Sequence, residues 1–254
     1  MSDIAQYGSW SVEAATEAAK ELNTKGKEAL FMKLETGLNA VRFMPPATGT
    51  TSPFAIGWQH YLRVPGAERP VVFPCPMKLE GRNCPSCSYA NKLSGTGNNA
   101  DRQLAWDFMP RMRVFANVID REDEQSGPKV LAFGKMIYEA LIKLRVDKYA
   151  GGDFTDPEAG FDIVIDRTGS GRQDTRYDVR AARQSTKLGE MGWLQTQHDL
   201  SRFTTPPSDE ELRNMISEAT GGSADFGNLS QPASPQSIPS RSIADDLGKD
   251  NIPF

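Results

Sequence analysis

Every cysteine in this 254-residue chain falls in one short window, together with one of its only two histidines. His60, Cys75, Cys84 and Cys87 follow the spacing His-x14-Cys-x8-Cys-x2-Cys. Three cysteines is an odd number, and the chain is longer than a typical disulfide-stapled scaffold, so a disulfide framework fits poorly. One imidazole and three thiolates are the donor set of tetrahedral Zn²⁺. Four protein ligands leave no position for water, so the spacing predicts one structural rather than catalytic zinc. Two other readings stay open. Cys84 and Cys87 could be a redox dithiol with Cys75 merely buried, although such a motif opens a helix after a strand in a βαβ unit, and nothing upstream of GRNCPSC reads that way. His60 could be a satisfied core histidine. A zinc deaminase would need His-x-Glu, whereas Tyr61 and Leu62 follow His60.

Around this window the pattern is of short strands. LNAVRFM (38–44) alternates until Pro45-Pro46 stops it, and PFAIGWQHYLRV (53–64) and PVVFPC (70–75) are strand-like. RMRVFANVID (111–120) and VLAFG (130–134) flank a polar turn and predict a hairpin. FDIVID (161–166) and TRYDVRAA (175–182) predict a second hairpin around Gly169 and Gly171. KMIYEALIKLRVDKY (135–149) predicts a helix with Met136, Ala140, Leu141 and Leu144 on its apolar face. Residues 91–103 read as a polar loop. The expected fold is mainly β with helices: an OB-fold barrel carrying a zinc-binding insertion.

The ends differ from this middle. SVEAATEAAKEL (11–22) reads as an amphipathic helix within an N-terminal arm, residues 1–30. Ser208 and Glu211 form a capping-box pattern opening a C-terminal helix over 206–222. Residues 223–254 read as a flexible Ser/Pro/Gln-rich linker ending in an acidic tip. The core is then 31–205, with the zinc subdomain at about 58–105.

The formal net charge of −4 hides an asymmetry. Residues 1–30 carry −2, residues 31–205 carry +3 and residues 206–254 carry −5. A mildly basic middle with an acidic tail suits a polyanion partner. The chain has no apolar run long enough for a membrane span and no signal-peptide layout at its start, so a cytoplasmic location is expected. On RMRVFANVI, Arg113, Phe115 and Asn117 share one face and Val114, Ala116 and Val118 the other. A cation, a ring and an amide on one strand face suit base stacking and phosphate pairing. The alternative is that Phe115 is core in a sheet buried on both sides. Trp106, Arg111, Lys135, Arg172, Arg176 and Tyr177 repeat the basic and aromatic theme, and Tyr177 could equally be core beside Val179.

The stretches KLETGLNAVRFMPP, SPFAIGWQHYLRV, the His60/Cys75/Cys84-Pro-x-Cys87 set, RVFANVIDREDEQSGPKVLAFGKMIYEAL and FDIVIDRTGSGRQDTRYDV resemble, in order, the single-stranded DNA-binding (helix-destabilising) proteins of T-even-type bacteriophages. The resemblance covers about residues 33–190. It implies an OB-fold with a zinc subdomain, cooperative coating of single-stranded DNA in replication, recombination and repair in the bacterial host, and no enzymatic activity. It places Arg111, Arg113, Phe115 and Tyr177 near the DNA cleft. Two features depart from that family. Its N-terminal arm is basic and joins neighbouring copies, whereas residues 1–24 here hold Lys20 against Asp3, Glu13, Glu17 and Glu21, which puts self-association by that route in question. The end, ADDLGKDNIPF, is similar to the tip of bacterial single-stranded DNA-binding proteins. That likeness implies recruitment of replication and recombination proteins through Asp245, Asp246, Asp250, Ile252, Pro253 and Phe254.

Overall fold

The computed structural model describes residues 30–62, 70–147, 149, 152–171 and 174–220, with side chains as far as Met215. The N-terminal arm, Arg172, the linker and the tip lie outside the described residues.

Eight strands form one bent, barrel-like sheet: β1 (Phe31–Met32), β2 (Gly37–Phe43), β3 (Phe54–Leu62), β4 (Val71–Pro74), β5 (Arg111–Asp120), β6 (Pro128–Phe133), β7 (Phe161–Thr168) and β8 (Arg176–Ser185). The path runs β1-β6-β5-β2-β7-β8, and β3 joins β5 to β4. The hub is β5, which pairs with β3 through Arg111–Ala116, with β6 through Val114–Ile119 and with β2 through Val118–Asp120. Only the β1–β6 pairing is parallel among the described strands. Among the described residues, five helices accompany the sheet: α1 (Pro76–Glu80), α2 (Pro85–Gly95), α3 (Asn99–Phe108), α4 (Lys135–Val146) and α5 (Asp209–Thr220). The barrel with a Cys/His-bearing insertion agrees with the fold class read from the sequence.

The core follows from strand alternation. Val114, Ala116 and Val118 of β5 point inward with Val41, Phe43, Leu131, Phe133, Ile163 and Ile165. Phe43 is the centre of an aromatic group. It meets Phe54, Phe133 and Phe154 edge-to-face at centroid distances of 6.0, 6.1 and 5.7 Å, each pair adding about 0.5–1.5 kcal/mol beyond its burial. Helix α4 lies across β8 and β5. It buries Ile137 and Leu141, with Tyr138 and Leu144 packed alongside, whereas Met136 faces solvent at 45% exposure. The predicted apolar face is therefore rotated by one residue at its start.

On β2, Val41, Arg42 and Phe43 are all fully buried, so alternation breaks at Arg42. Its guanidinium donates to the carbonyls of Phe154, Asp156 and Phe161 and so fastens the loop between α4 and β7. Burial lowers the Arg42 pKa despite nearby Asp162, and Nε has no partner. A Cβ at Gly160 would stand 2.5 Å from both Nη atoms, so this close approach requires glycine.

The predicted polar loop at 91–103 is corrected. Helix α2 runs to Gly95 and α3 starts at Asn99. Only Thr96–Asn98 breaks them, with Gly97 at φ 77°. The Asn98 side chain caps the backbone N–H of Ala100 at 3.0 Å, and Thr96 donates to Asp101 at 2.7 Å. The polar composition hid this pair because, beyond the first turn of α2 with Pro85, Ser86 and Cys87, its helices bury only Ala90 and Ala105.

Candidate metal centre and nucleic-acid interface

His60 is on β3, where its ring stacks on its register partner Phe73 at 4.9 Å. Cys75 and Cys84 are the N-caps of α1 and α2, each with proline at the next position. Proline suits that first helical position because its missing N–H would be unsatisfied there anyway. This repeated Cys-Pro step was a readable signal of two helix starts. Cys87 then falls on the first turn of α2, and its backbone N–H donates to the Cys84 sulfur.

The four ligand atoms lie within 4.8 Å of one another, and all four residues are buried. Cys75 Sγ is 3.5 Å from Cys87 Sγ, and His60 Nε2 is 3.3 Å from Cys84 Sγ and 3.6 Å from Cys87 Sγ. A tetrahedral Zn²⁺ with its usual bond lengths would space two sulfurs by about 3.8 Å and a sulfur and a nitrogen by about 3.5 Å. These three edges are close to that polyhedron, and 3.5 Å is far beyond a disulfide bond of about 2.05 Å. His60 Nδ1 donates to the Phe108 carbonyl at 2.9 Å, which leaves Nε2 unprotonated toward the thiols. Ser86 donates to the same carbonyl at 3.0 Å.

Electrostatics point the same way. Hydrogen bonds from Cys84 and Cys87 hold the Cys75 thiol far below its ordinary pKa. The same contact with Cys75 pushes Cys84 up to about 12, and Cys87 also rises, chiefly through Cys75 and Cys84. One buried thiolate suppresses the next unless a cation compensates them, as a divalent metal would. The set fits a metal ion. Although Cys84-x-x-Cys87 does open a helix, the redox-pair reading finds no exposed thiol, since Cys75 and Cys84 are inaccessible and Cys87 is 7% exposed.

The predicted nucleic-acid residues fall into separate groups. Arg111 and Arg113 open β5 beside β3, both half-buried. Arg113 Nε donates to the Tyr61 hydroxyl at 3.0 Å, and its guanidinium stands 5.6 Å from that ring. Tyr177, on β8, packs against the barrel core with Val179. Burial raises its phenol pKa, while Arg167 and Arg113 oppose that shift. Arg113, Tyr61, Tyr177 and Arg167 thus form one basic and aromatic group. Tyr61 and Arg167 were missed from the sequence. The alternation of β3 was the available signal for Tyr61, since it must face away from the metal ligand His60.

Trp106 is elsewhere, on α3 of the metal-bearing insertion, and is 64% exposed. Lys135, at the start of α4, is 3.8 Å from Glu139. Arg176, exposed at the start of β8, donates to the Thr175 carbonyl at 3.0 Å. Phe115 and Asn117 do share the outer face of β5, but that face is covered. Residues 186–205 return over it as an irregular strap. Phe203 stacks on Phe115 at 5.0 Å and 19°, leaving Phe115 5% exposed. Asn117 and His198 exchange two hydrogen bonds of 2.9 Å, and His198 Nε2 donates to the Pro128 carbonyl. For Phe115 the doubly buried alternative matches the geometry.

Leu212 of α5 is buried among Cys75, Cys84 and Cys87. Arg82, inside the cysteine loop, pairs with Asp209 at 2.6 Å and donates to the Pro207 carbonyl at 3.0 Å. The last helix therefore belongs to the metal-bearing unit. Among the described residues no helix is long and apolar enough to cross a membrane.

A family model described as gp32 DNA binding protein like matches residues 35–220. No curated protein matches the chain.

Proposed function

The chain belongs to the gp32-like family of DNA-binding proteins, and from that premise we propose that it binds and protects single-stranded DNA with little sequence preference during phage replication, recombination and repair. The observation that carries the reading is the convergence of Arg113, Tyr61, Tyr177 and Arg167 on the barrel. Cations pair with phosphates and rings stack on bases whatever their sequence. Arg111 extends that group along β5, and exposed Trp106 and Arg176, with partly buried Lys135, supply further contacts as the strand passes. Arg172, between β7 and β8 in the sequence, adds a further cation in this reading.

The chain carries out no catalysis in this reading. Zn²⁺ is the metal that His60, Cys75, Cys84 and Cys87 hold, and its role is structural: bound there, it orders the insertion. The acidic tip, Asp245, Asp246, Asp250, Ile252, Pro253 and Phe254, recruits replication and recombination proteins. An apolar pocket takes Ile252 and Phe254, and basic residues meet the aspartates.

Fluorescence titration of the full-length protein with oligo-dT at several salt concentrations tests the DNA reading. Affinity should fall linearly on a log–log plot, by about 0.7 in log K per log salt for each phosphate neutralised. Binding that ignores salt, or no binding, overturns it.

A further inference from the structure

A groove of about 600 Å³ runs between β4 and α5, with Val72, Phe73, Pro74, Pro206, Asn214 and Met215 among its lining residues. Its volume is in the range of sites that enclose several apolar groups. Its walls are chiefly aliphatic and proline, and Val72 is 45% exposed within it. The acid on its rim, Glu211, is held by the backbone N–H and hydroxyl of Ser208, both at 2.8 Å. Among the described strands β4 pairs with β3 alone, so its second edge is open. The groove is far from neither wall's anchor: α5 is bolted to the metal-bearing unit through Leu212 and Arg82. It is therefore a preformed surface.

We propose that this groove is the docking site for the chain's own Ile252-Pro253-Phe254. Three observations select that occupant. First, residues 221–254 leave directly from α5, the helix that forms one wall, and Met215 is about 7.5 Å of helix from Thr220. Second, a 31-residue linker (221–251) of Ser-, Pro- and Gln-rich composition would, as a random coil, span about 30 Å, which would hold the tip near the groove at roughly millimolar effective concentration. Third, the tail is polar or charged apart from scattered apolar residues, and Ile252-Pro253-Phe254 closes it with an apolar cluster. Pro253 brings no N–H that would need a partner in an apolar groove. The contact parks the tip between β4 and α5, where Val72 is the cross-strand partner of Tyr61, and a partner protein must compete it out. The inference does not depend on the DNA reading.

The test uses the full-length protein with p-benzoylphenylalanine in place of Phe254, irradiated and mapped by mass spectrometry. Crosslinks should fall within the same chain on 72–74 or 214–215. They should persist near 1 M salt, where the Debye length is about 3 Å, and be lost in Val72→Glu. Val72→Glu should retain its metal, and Met215→Lys, on the cysteine-cluster side of the groove, should abolish the same crosslinks. Crosslinks to β5 or β8, between copies, or abolished by salt overturn the proposal, as does their absence. A failed oligo-dT titration leaves this map unaffected, so the two readings fail separately.

Discussion

The barrel and the metal-bearing insertion are built on different physics within one chain. The barrel core joins fourteen buried apolar residues from strands, helix α4 and its following loop, segments far apart in sequence. The insertion's cluster has six, and three of those are cysteines. Helix α1 has five residues, too few to be stable alone. A unit with so little to bury needs a staple, and a metal held by the buried Cys3His set would supply one. The barrel shows the reverse economy. Where it buries a charge, at Arg42, three backbone carbonyls receive it.

The largest expected effect separates the two regions. Structural zinc contributes about 10–16 kcal/mol in small finger peptides, far more than any side-chain contact here. Chelation, or Cys87→Ser, should abolish metal content. It should also strip hydrogen-exchange protection from α1, α2, α3 and α5 while β5 to β8 keep theirs. Uniform loss across the chain would mean that the regions are one cooperative unit, and unchanged protection would mean that the thiols are not the staple. Oligo-dT affinity should weaken secondarily, because β3 carries both His60 and Tyr61.

The next effect belongs to the barrel. Arg42→Ala leaves the carbonyls of Phe154, Asp156 and Phe161 without their donor, at a combined cost of about 3 kcal/mol. A Tm lower by roughly 6–12 °C should follow, taking about 2–4 °C per kcal/mol at this size. Metal stoichiometry, read by atomic absorption, should not change. A shift under about 1 °C would show that water readily replaces the guanidinium.

The smallest effect is local. Ser208 and Glu211 form the reciprocal cap that opens α5, with Glu211 N–H donating to Ser208 Oγ at 3.3 Å. Ser208→Ala should cost about 1 kcal/mol and speed amide exchange in residues 209–215 about fivefold. If the cap matters only to the free helix, exchange there will stay slow, because Leu212 and Arg82 hold α5 in place.

Much of this contrast was legible beforehand. The ligand set could be read because cysteine and histidine are scarce here and chemically distinctive, so their spacing carries information without any fold. Strands β2 to β8 could be read because inward and outward positions alternate. Helices α2 and α3 could not, since few of their side chains are buried and Asn, Gly and Thr also mark loops. The role of Phe115 was undecidable for another reason. Alternation says which residues share a face, but not what lies over that face, and the cover comes from Phe203, 88 positions along the chain. Arg42 was invisible on the same ground, because its partners are backbone carbonyls that no residue type announces.

The sequence by itself determined the candidate Cys/His metal set, the strand faces and the charge asymmetry, because these depend on residue chemistry and on short-range periodicity. Only the tertiary structure decided which face stays open, that Tyr61 and Arg167 join Arg113 and Tyr177, and that α5 belongs with the cysteines. Those outcomes depend on contacts between distant segments, and such contacts leave no local pattern to read.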